Sequence, residues 1–405
     1  MGVVTGAMVF GPDGTGAPLP GHRALEPVPG GDLVELAYDY GPNLVPAPGE
    51  VGSMWRYHAL LPLDPAPVAY PLPVGGTPLV APVGLREQLG APNLYLKDES
   101  RGPTGSNKDR ATALVLEHGL RRGARTATCA STGNVAVSLA VGAAAAGLGA
   151  VIFVPAAVEE SKLRLMLLAG ATVVKVARGY GVAFELSRRT ARELGWLDRN
   201  TGVNPLTLEA KKTVAFEIWE QLGRRSPDVV LAPVGDGPTL VALAKGFREL
   251  RACGVTDRLP RLIGVQAAGC QPLRVAFEQG GPPEVVEPRT IADGIAVSRP
   301  VAGARAVAEV RASGGAFVAV EDAEMLEAIG LLARRAGVIA EPAGAAALAG
   351  FRRALGAGLV GSEETAVVLV TGSGLKTPRF LAPSGTAVEI EGSPAEVDRL
   401  LAPRR

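Results

Sequence analysis

From Leu94 onward, short β-branched apolar runs alternate with segments of helical period. A run such as Val229–Ala232 is apolar on both faces and so needs cover on both sides. Intervening amphipathic helices supply that cover, which is the pattern of β-α-β units around a parallel sheet. The spacing predicts strands at Leu94–Leu96, Thr126–Cys129, Val151–Val154, Thr172–Val176, Val229–Ala232, Leu262–Gln266, Ala316–Val320 and Ala366–Val370. Helices fit between them at Lys108–Arg121, Asn134–Ala146, Lys162–Leu168, Val182–Leu194, Leu208–Leu222, Thr239–Leu250, Ala323–Ala336 and Ala343–Leu355. The fold class is α/β. In open sheets of this kind ligands bind at the carboxyl ends of the strands.

Composition removes several alternatives. The 41 Lys+Arg balance 40 Asp+Glu, with no basic run, so counterion release cannot drive nucleic-acid binding. The uncharged stretch Val135–Val158 is long enough to span a bilayer, but glycines at 147 and 149 and Pro155 divide it into an Ala-rich helix, a turn and a β-branched strand. No membrane span is expected. Cys129, Cys253 and Cys270 form no CxxC pair, which disfavours both a disulfide framework and a metal knuckle, and Met1–Phe10 lacks the pattern of an export signal. The expectation is a cytoplasmic protein with no metal.

Four strand-following loops carry chemistry. Gly102–Arg110 (GPTGSNKDR) opens a helix with Lys108 in its first turn, where the positive end of the helix dipole disfavours an ammonium. A free lysine amine is what Schiff-base chemistry requires. Ser131-Thr132-Gly133-Asn134 places hydroxyls and backbone N–H groups at a helix start, suited to a carboxylate or simply to capping. Gly235-Asp236-Gly237-Pro238-Thr239 reads as a phosphate cradle; as a dinucleotide fingerprint it lacks its third glycine, since Leu240 stands there, which counts against a nicotinamide oxidoreductase. Thr371-Gly372-Ser373-Gly374 puts a hydroxyl after the last strand, where it can meet an unprotonated ring nitrogen. Together the four loops describe a site for pyridoxal phosphate.

The segments MWRYHALLPL, GGTPLV, LYLKDES, PTGSNKDR, CASTGN, NPLTLEAKKTVAFE, PDVVLAPVGDG, IGVQAAG, EPAGAAALAG and VTGSGLK resemble the tryptophan-synthase-β-like, or fold type II, pyridoxal-phosphate enzymes, and among these the threonine synthases. The resemblance implies that Lys108 holds the cofactor as a Schiff base and later moves a proton. It gives Asn134 the ring 3′-oxygen, Gly235, Asp236, Gly237, Pro238 and Thr239 the phosphate, and Thr371 the ring nitrogen. Ser131, Thr132 and Gly133 would receive the carboxylate of a small amino-acid substrate, with Lys97 a further substrate-side candidate. It also implies a homodimer and two open α/β domains with the cofactor in their cleft: an N-terminal extension 1–75, a large domain 76–109 and 208–405, and a small inserted domain 110–207.

The chain departs from the pattern where a substrate phosphate would sit. Thr207 stands where threonine synthases place an arginine, and Asp236 where they place an asparagine in the cradle. Losing a planar cation and gaining an acid both oppose a dianion, with Lys211 and Lys212 the nearby cations that could compensate. Asn107 replaces the usual phenylalanine before the lysine, and could touch the cofactor or cap the helix. TIADGIAVS and EPAGAAALAG look more like threonine/serine ammonia-lyases. The expectation is elimination or replacement at the β or γ carbon of an amino acid other than O-phosphohomoserine, with true threonine synthase and threonine/serine ammonia-lyase as alternatives.

Overall fold

The computed structural model describes residues 4–401, apart from 12, 20–32, 65, 157 and 384 and the side chains of 398, 399 and 401. Part of the extension expected at 1–75 thus lies outside the described residues. The rest of it builds structure that the sequence pattern did not announce: β1 (Val4–Phe10) pairs antiparallel with both β2 (Gly16–Leu19) and β3 (Leu33–Tyr38). This small sheet docks through buried carboxylates. Glu209 accepts from the Leu36 N–H at 3.3 Å and the Tyr38 hydroxyl at 2.8 Å.

Two parallel arrays follow. The larger sheet begins with β4 (Leu79–Val80) and β5 (Leu94–Asp98). The chain then leaves to form a separate four-stranded parallel sheet from β6 (Thr126–Ala130), β7 (Gly149–Pro155), β8 (Thr172–Val176) and β9 (Leu197–Asp198), in the order β8-β7-β6-β9. It returns to the first sheet with β10 (Val229–Pro233), β11 (Arg261–Ala267), β12 (Ala316–Val320) and β13 (Ala366–Val370), giving the order β12-β11-β10-β13-β5-β4. Only β4 runs antiparallel there. All eight strands and eight helices expected from periodicity are present, within a few residues at their ends. The 135–158 run is a helix to Ala145, a turn through Gly147 and then β7, and no helix of the described residues is long and apolar enough to cross a membrane.

Apolar cores fill both faces of the six-stranded sheet, one on Phe216, Trp219, Leu243 and Phe247, the other on Ile263, Leu332, Leu348 and Phe351. The helix Pro205–Gln221 packs against both Pro238–Ala252 and Lys108–Leu120. Asn204 caps it, accepting from the Leu206 N–H at 3.0 Å, and Pro205 gives up no helical hydrogen bond at the first turn. Gly246 sets the helix spacing: a Cβ there would lie 2.6 Å from both the Ala215 Cβ and the Lys212 carbonyl oxygen. The strand order also places the site. Because β10, β13 and β5 are neighbours, their carboxyl ends bring Gly235, Thr371 and the Lys108 loop together.

Candidate active site

Lys108 is the first residue of its helix, and the loop before it is tied down from several sides. Asp109 accepts from the Thr104 N–H at 2.9 Å and hydroxyl at 2.5 Å, and the Lys376 ammonium donates to the Thr104 and Gly105 carbonyls at 2.8 and 3.0 Å. The Asn107 N–H donates to the Thr371 carbonyl at 3.0 Å, joining the first loop to the last. The Lys108 amine donates to Asn107 Oδ1 at 3.0 Å. Burial pushes its ammonium down to about 8, with Arg199 adding to the shift and Glu341 and Asp236 opposing it. The free amine expected from the helix terminus is therefore favoured here mainly by desolvation. Asn107 makes no capping bond; its amide lies between Lys108 and the Thr239 hydroxyl, 3.5 Å away.

The loop after β10 has the form of an anion cradle. Gly237 sits at φ 96°, and a Cβ there would come 2.9 Å from the Ala302 carbonyl oxygen; at Gly235 it would come 2.9 Å from Val297 Cγ2. Glycine lets this backbone close on the segment 294–302. Among the described residues, the N–H groups of Gly235, Asp236, Gly237 and Thr239 find no acceptor. A run of unused donors leading into Pro238 at a helix start suits a phosphate monoester. The Asp236 carboxylate takes only the Val301 N–H, at 3.5 Å, and burial raises its affinity for a proton against the opposing charges of Lys211 and Lys108.

Across the site, after β6, Asn134 opens the helix Asn134–Ala145. Its Nδ2 donates to Glu341 Oε1 at 2.6 Å, while Asn134 Oδ1 and Glu341 Oε2 are buried with no partner. Burial also lifts the Glu341 carboxyl above the usual range. The Gly133 N–H turns back to Ser131 Oγ at 3.1 Å, and those of Thr132 and Asn134 find no acceptor among the described residues. The Thr371 hydroxyl is likewise without a partner. Orphaned polar atoms on one side and a glycine cradle on the other fit a phosphorylated heteroaromatic aldehyde.

The structure does not bring Lys97 here. That ammonium is fully buried and spends its three protons on the Thr77 carbonyl (2.7 Å), Glu217 (2.7 Å) and Gln221 (2.9 Å). Thr207 turns its hydroxyl to its own helix, donating to the Asn204 carbonyl at 2.8 Å. Lys211 and Lys212 separate: Lys212 pairs with Glu209 at 2.5 Å and Glu249 at 2.8 Å, whereas Lys211 makes no hydrogen bond or ion pair among the described residues, and burial, with the positive charges of Lys108 and Arg199, lowers its proton affinity. Sequence reasoning missed two contributors. Glu341 was visible only as part of EPAGAAALAG, and nothing in the sequence marked Arg199, which donates to the Lys108 carbonyl at 3.1 Å.

Residues 70–372 match the model of the family described as pyridoxal-phosphate dependent enzyme. The chain belongs to that family. Its cofactor is pyridoxal phosphate, and it is a lyase-type enzyme, threonine synthase-like in sequence. It is 37% identical to the threonine synthase of Methanosarcina acetivorans over 90% of each chain, and 38% identical to that of Mycobacterium leprae over 82% of this chain and 90% of the other. Among solved structures it is similar to threonine deaminase isoform 2 of Solanum lycopersicum, with a TM-score of 0.64, 22% identity and coverage of 76% and 88%. That likeness is one of fold, and the fold is type II of the pyridoxal-phosphate dependent enzymes.

Proposed function

We propose that this enzyme performs elimination or replacement at the β or γ carbon of an amino acid whose leaving group is not a phosphate. The observation that carries the reading is the shortage of free cations on the substrate side. Thr207 replaces an arginine, and Lys162 is held by Asp293. Arg199 divides its donors among Thr112, Thr201 and the Lys108 carbonyl. Asp236 adds negative charge, opposed by Lys211 and by Lys108. A phosphate dianion entering such a site would lose more solvation than it regains.

Pyridoxal phosphate, when bound, withdraws electrons from the Cα of an amino acid joined to it and so acidifies the Cα–H. The residues here divide the remaining tasks. The loop Gly235–Thr239 would hold its phosphate through the backbone N–H groups of Gly235, Asp236, Gly237 and Thr239, with Pro238 opening the helix. Asn134 would meet the ring oxygen and Thr371 the ring nitrogen. Ser131, Thr132 and Gly133 would seat the substrate carboxylate. The Lys108 amine takes the α-proton as general base, and its shifted basicity keeps a useful fraction unprotonated near pH 8. Asn107 orients that amine toward the cradle.

The second reading, a phosphate-releasing threonine synthase, is favoured by the names of the relatives. A screen of the cofactor-loaded enzyme against O-phosphohomoserine, threonine, serine and diamino acids, with products identified by mass spectrometry, separates the two. Turnover of an unphosphorylated amino acid without threonine formation from O-phosphohomoserine is the expected result; efficient threonine formation overturns the first reading. The same proposal places 110–207, which carries its own sheet, as a small domain inserted between 76–109 and 208–405, following the extension 1–75. It takes the assembly to be a cytoplasmic homodimer, supported by the family resemblance and by the three free cysteines. Sedimentation of the loaded enzyme tests the dimer.

A further inference from the structure

The helix Pro205–Gln221 leads away from Thr207, and at its far end lies a cavity that the reaction does not use. Trp219, in the last turn, stands about 18 Å along the helix axis from Thr207. The cavity has a volume of about 360 Å³; Pro42, Val45 and Pro46 of the N-terminal segment wall it together with Val255, Trp219 and Arg224. Two of these wall groups are unfinished. Trp219 is 2% exposed, yet its indole N–H finds no acceptor among the described residues, and the Arg224 Nε–H is likewise buried without a partner. The surroundings hold both donors in place. The Arg224 guanidinium carbon lies 4.7 Å from the Trp219 ring centroid, and Arg224 Nη2 donates to the Pro46 carbonyl at 2.6 Å. Arg224 also stands at φ 62°, alone in this among the described non-glycine residues, a conformation that a side chain with a Cβ disfavours. Arg56 fixes the same N-terminal segment through the Ala47 carbonyl.

We propose that this cavity is a second ligand site, and that it takes a small aliphatic carboxylate lacking an ammonium group, held by Trp219 Nε1 and Arg224 Nε. The inference goes beyond the reaction and does not depend on its leaving group. A buried donor without an acceptor is costly, and two such donors at one cavity call for an acceptor from outside. Arg224 has no acidic partner among the described residues, so an anionic acceptor also answers its charge. The charge excludes an amino acid as the ligand. No acid lines the cavity, and Glu220, beside Trp219 in sequence, is taken by Arg56 at 2.7 Å and by the Tyr57 hydroxyl at 2.9 Å. An ammonium would therefore enter unpaired beside a guanidinium. The remaining walls are proline and valine, which suit an apolar tail.

The test follows the indole N–H directly. The chain has three tryptophans, so the full-length, cofactor-loaded enzyme labelled with 15N-tryptophan gives one indole signal for each, and Trp219→Phe identifies the relevant one. The probes are 4-methylpentanoate, its uncharged amide, and leucine, which is the same carbon skeleton with an ammonium added. The carboxylate should move the Trp219 proton downfield and saturate in the millimolar range or below, as an acceptor joins the N–H. The amide and leucine should act on that signal at least about 10-fold more weakly, the scale of a hydrogen bond to a charged group. Arg224→Gln should weaken the carboxylate by a similar factor while leaving cofactor absorbance and basal turnover unchanged, which shows that the variant is folded. Should that variant fail to fold, the ligand series on the wild type decides alone. A Trp219 signal that stays still across the millimolar range of carboxylate, or that moves equally with the amide or leucine, overturns the proposal. An undiminished response in Arg224→Gln also overturns it, because the signal would then be relayed from a carboxylate bound at Ser131–Gly133.

Discussion

Two buried polar clusters flank the helix Pro205–Gln221, and they are built on opposite rules. In the cluster around Arg110, every charge is answered: Arg110 binds Glu99 at 2.6 Å and Glu217 at 2.6 Å, and Lys97 binds Glu217 at 2.7 Å. Burial alone would raise the Glu217 carboxyl, but Arg110 and Lys97 outweigh it and hold it at about 2. In the cluster around Lys108, and among the described residues, Lys211 has no hydrogen-bond or ion-pair partner, Asp236 has one long bond, and Asn134 Oδ1 and Glu341 Oε2 are buried without any. Unmade hydrogen bonds in an interior are costly. In the function proposed above, cofactor and substrate would complete them, so that the first cluster holds the fold and the second is left for ligands.

The sharpest way to break this contrast is to remove one lysine from each side. Lys108→Ala should reduce turnover by at least about 10³-fold, the combined scale of losing the nucleophile and the general base, and should abolish borohydride-fixable cofactor. Its melting temperature should stay close to that of the parent, because the amine holds only Asn107. Lys97→Met should do the reverse, lowering stability while turnover per folded molecule persists; a large loss of kcat would return Lys97 to the substrate site.

Next in size is the cost of breaking the satisfied cluster. Glu217→Ala leaves Lys97 buried without its carboxylate and Arg110 with Glu99 alone, and removing one partner of a buried pair costs about 3–5 kcal/mol. Urea titration of the loaded enzyme measures it, and a loss below about 1 kcal/mol would mean that solvent reaches the cluster. Gly237→Ala sharpens the comparison from the other side. With φ at 96° and a carbonyl 2.9 Å from the new Cβ, it should cost roughly 1–3 kcal/mol of backbone strain. The loss should appear as weaker cofactor retention during dialysis, and unchanged retention would place the phosphate elsewhere.

The two clusters also differ in how far they could be read without coordinates. The parallel strands and their helices were legible because β-branched runs such as Val229–Ala232 and Ala366–Val370 have one stable use, burial on both faces. The loops followed, since strand ends collect ligands. Less visible were the helices Pro272–Gln279 and Gly303–Ala312, which are short, the second following a Gly- and Pro-rich stretch, and the β1–β3 sheet, which docks on Glu209. Partnership between charges was not legible at all. Lys211 and Lys212 are adjacent letters, yet the helix turns them roughly 100° apart, so that Lys212 meets Glu209 and Glu249 while Lys211 meets no partner among the described residues. Lys97 looked available for the same reason: its distant partner Glu217 is invisible to local pattern.

The smallest effect, and the finest probe of the unsatisfied cluster, is the pH dependence of cofactor capture. Only the free amine of Lys108 attacks an aldehyde. With its ammonium pushed down to about 8 by burial, the reactive fraction is half at that pH and falls about tenfold per unit below it. The rate at which the cofactor-free chain captures pyridoxal phosphate, followed by absorbance, should therefore climb from pH 6 and level off above about 8.5, whereas an ordinary lysine would keep climbing past pH 10. Replacing Arg199, the second contributor to the shift, with methionine should move the bend upward, since a neighbouring positive charge is what disfavours a second one. A bend that stays in place would assign the shift to desolvation alone, and a rate still climbing at pH 10 would mean that water reaches Lys108 freely.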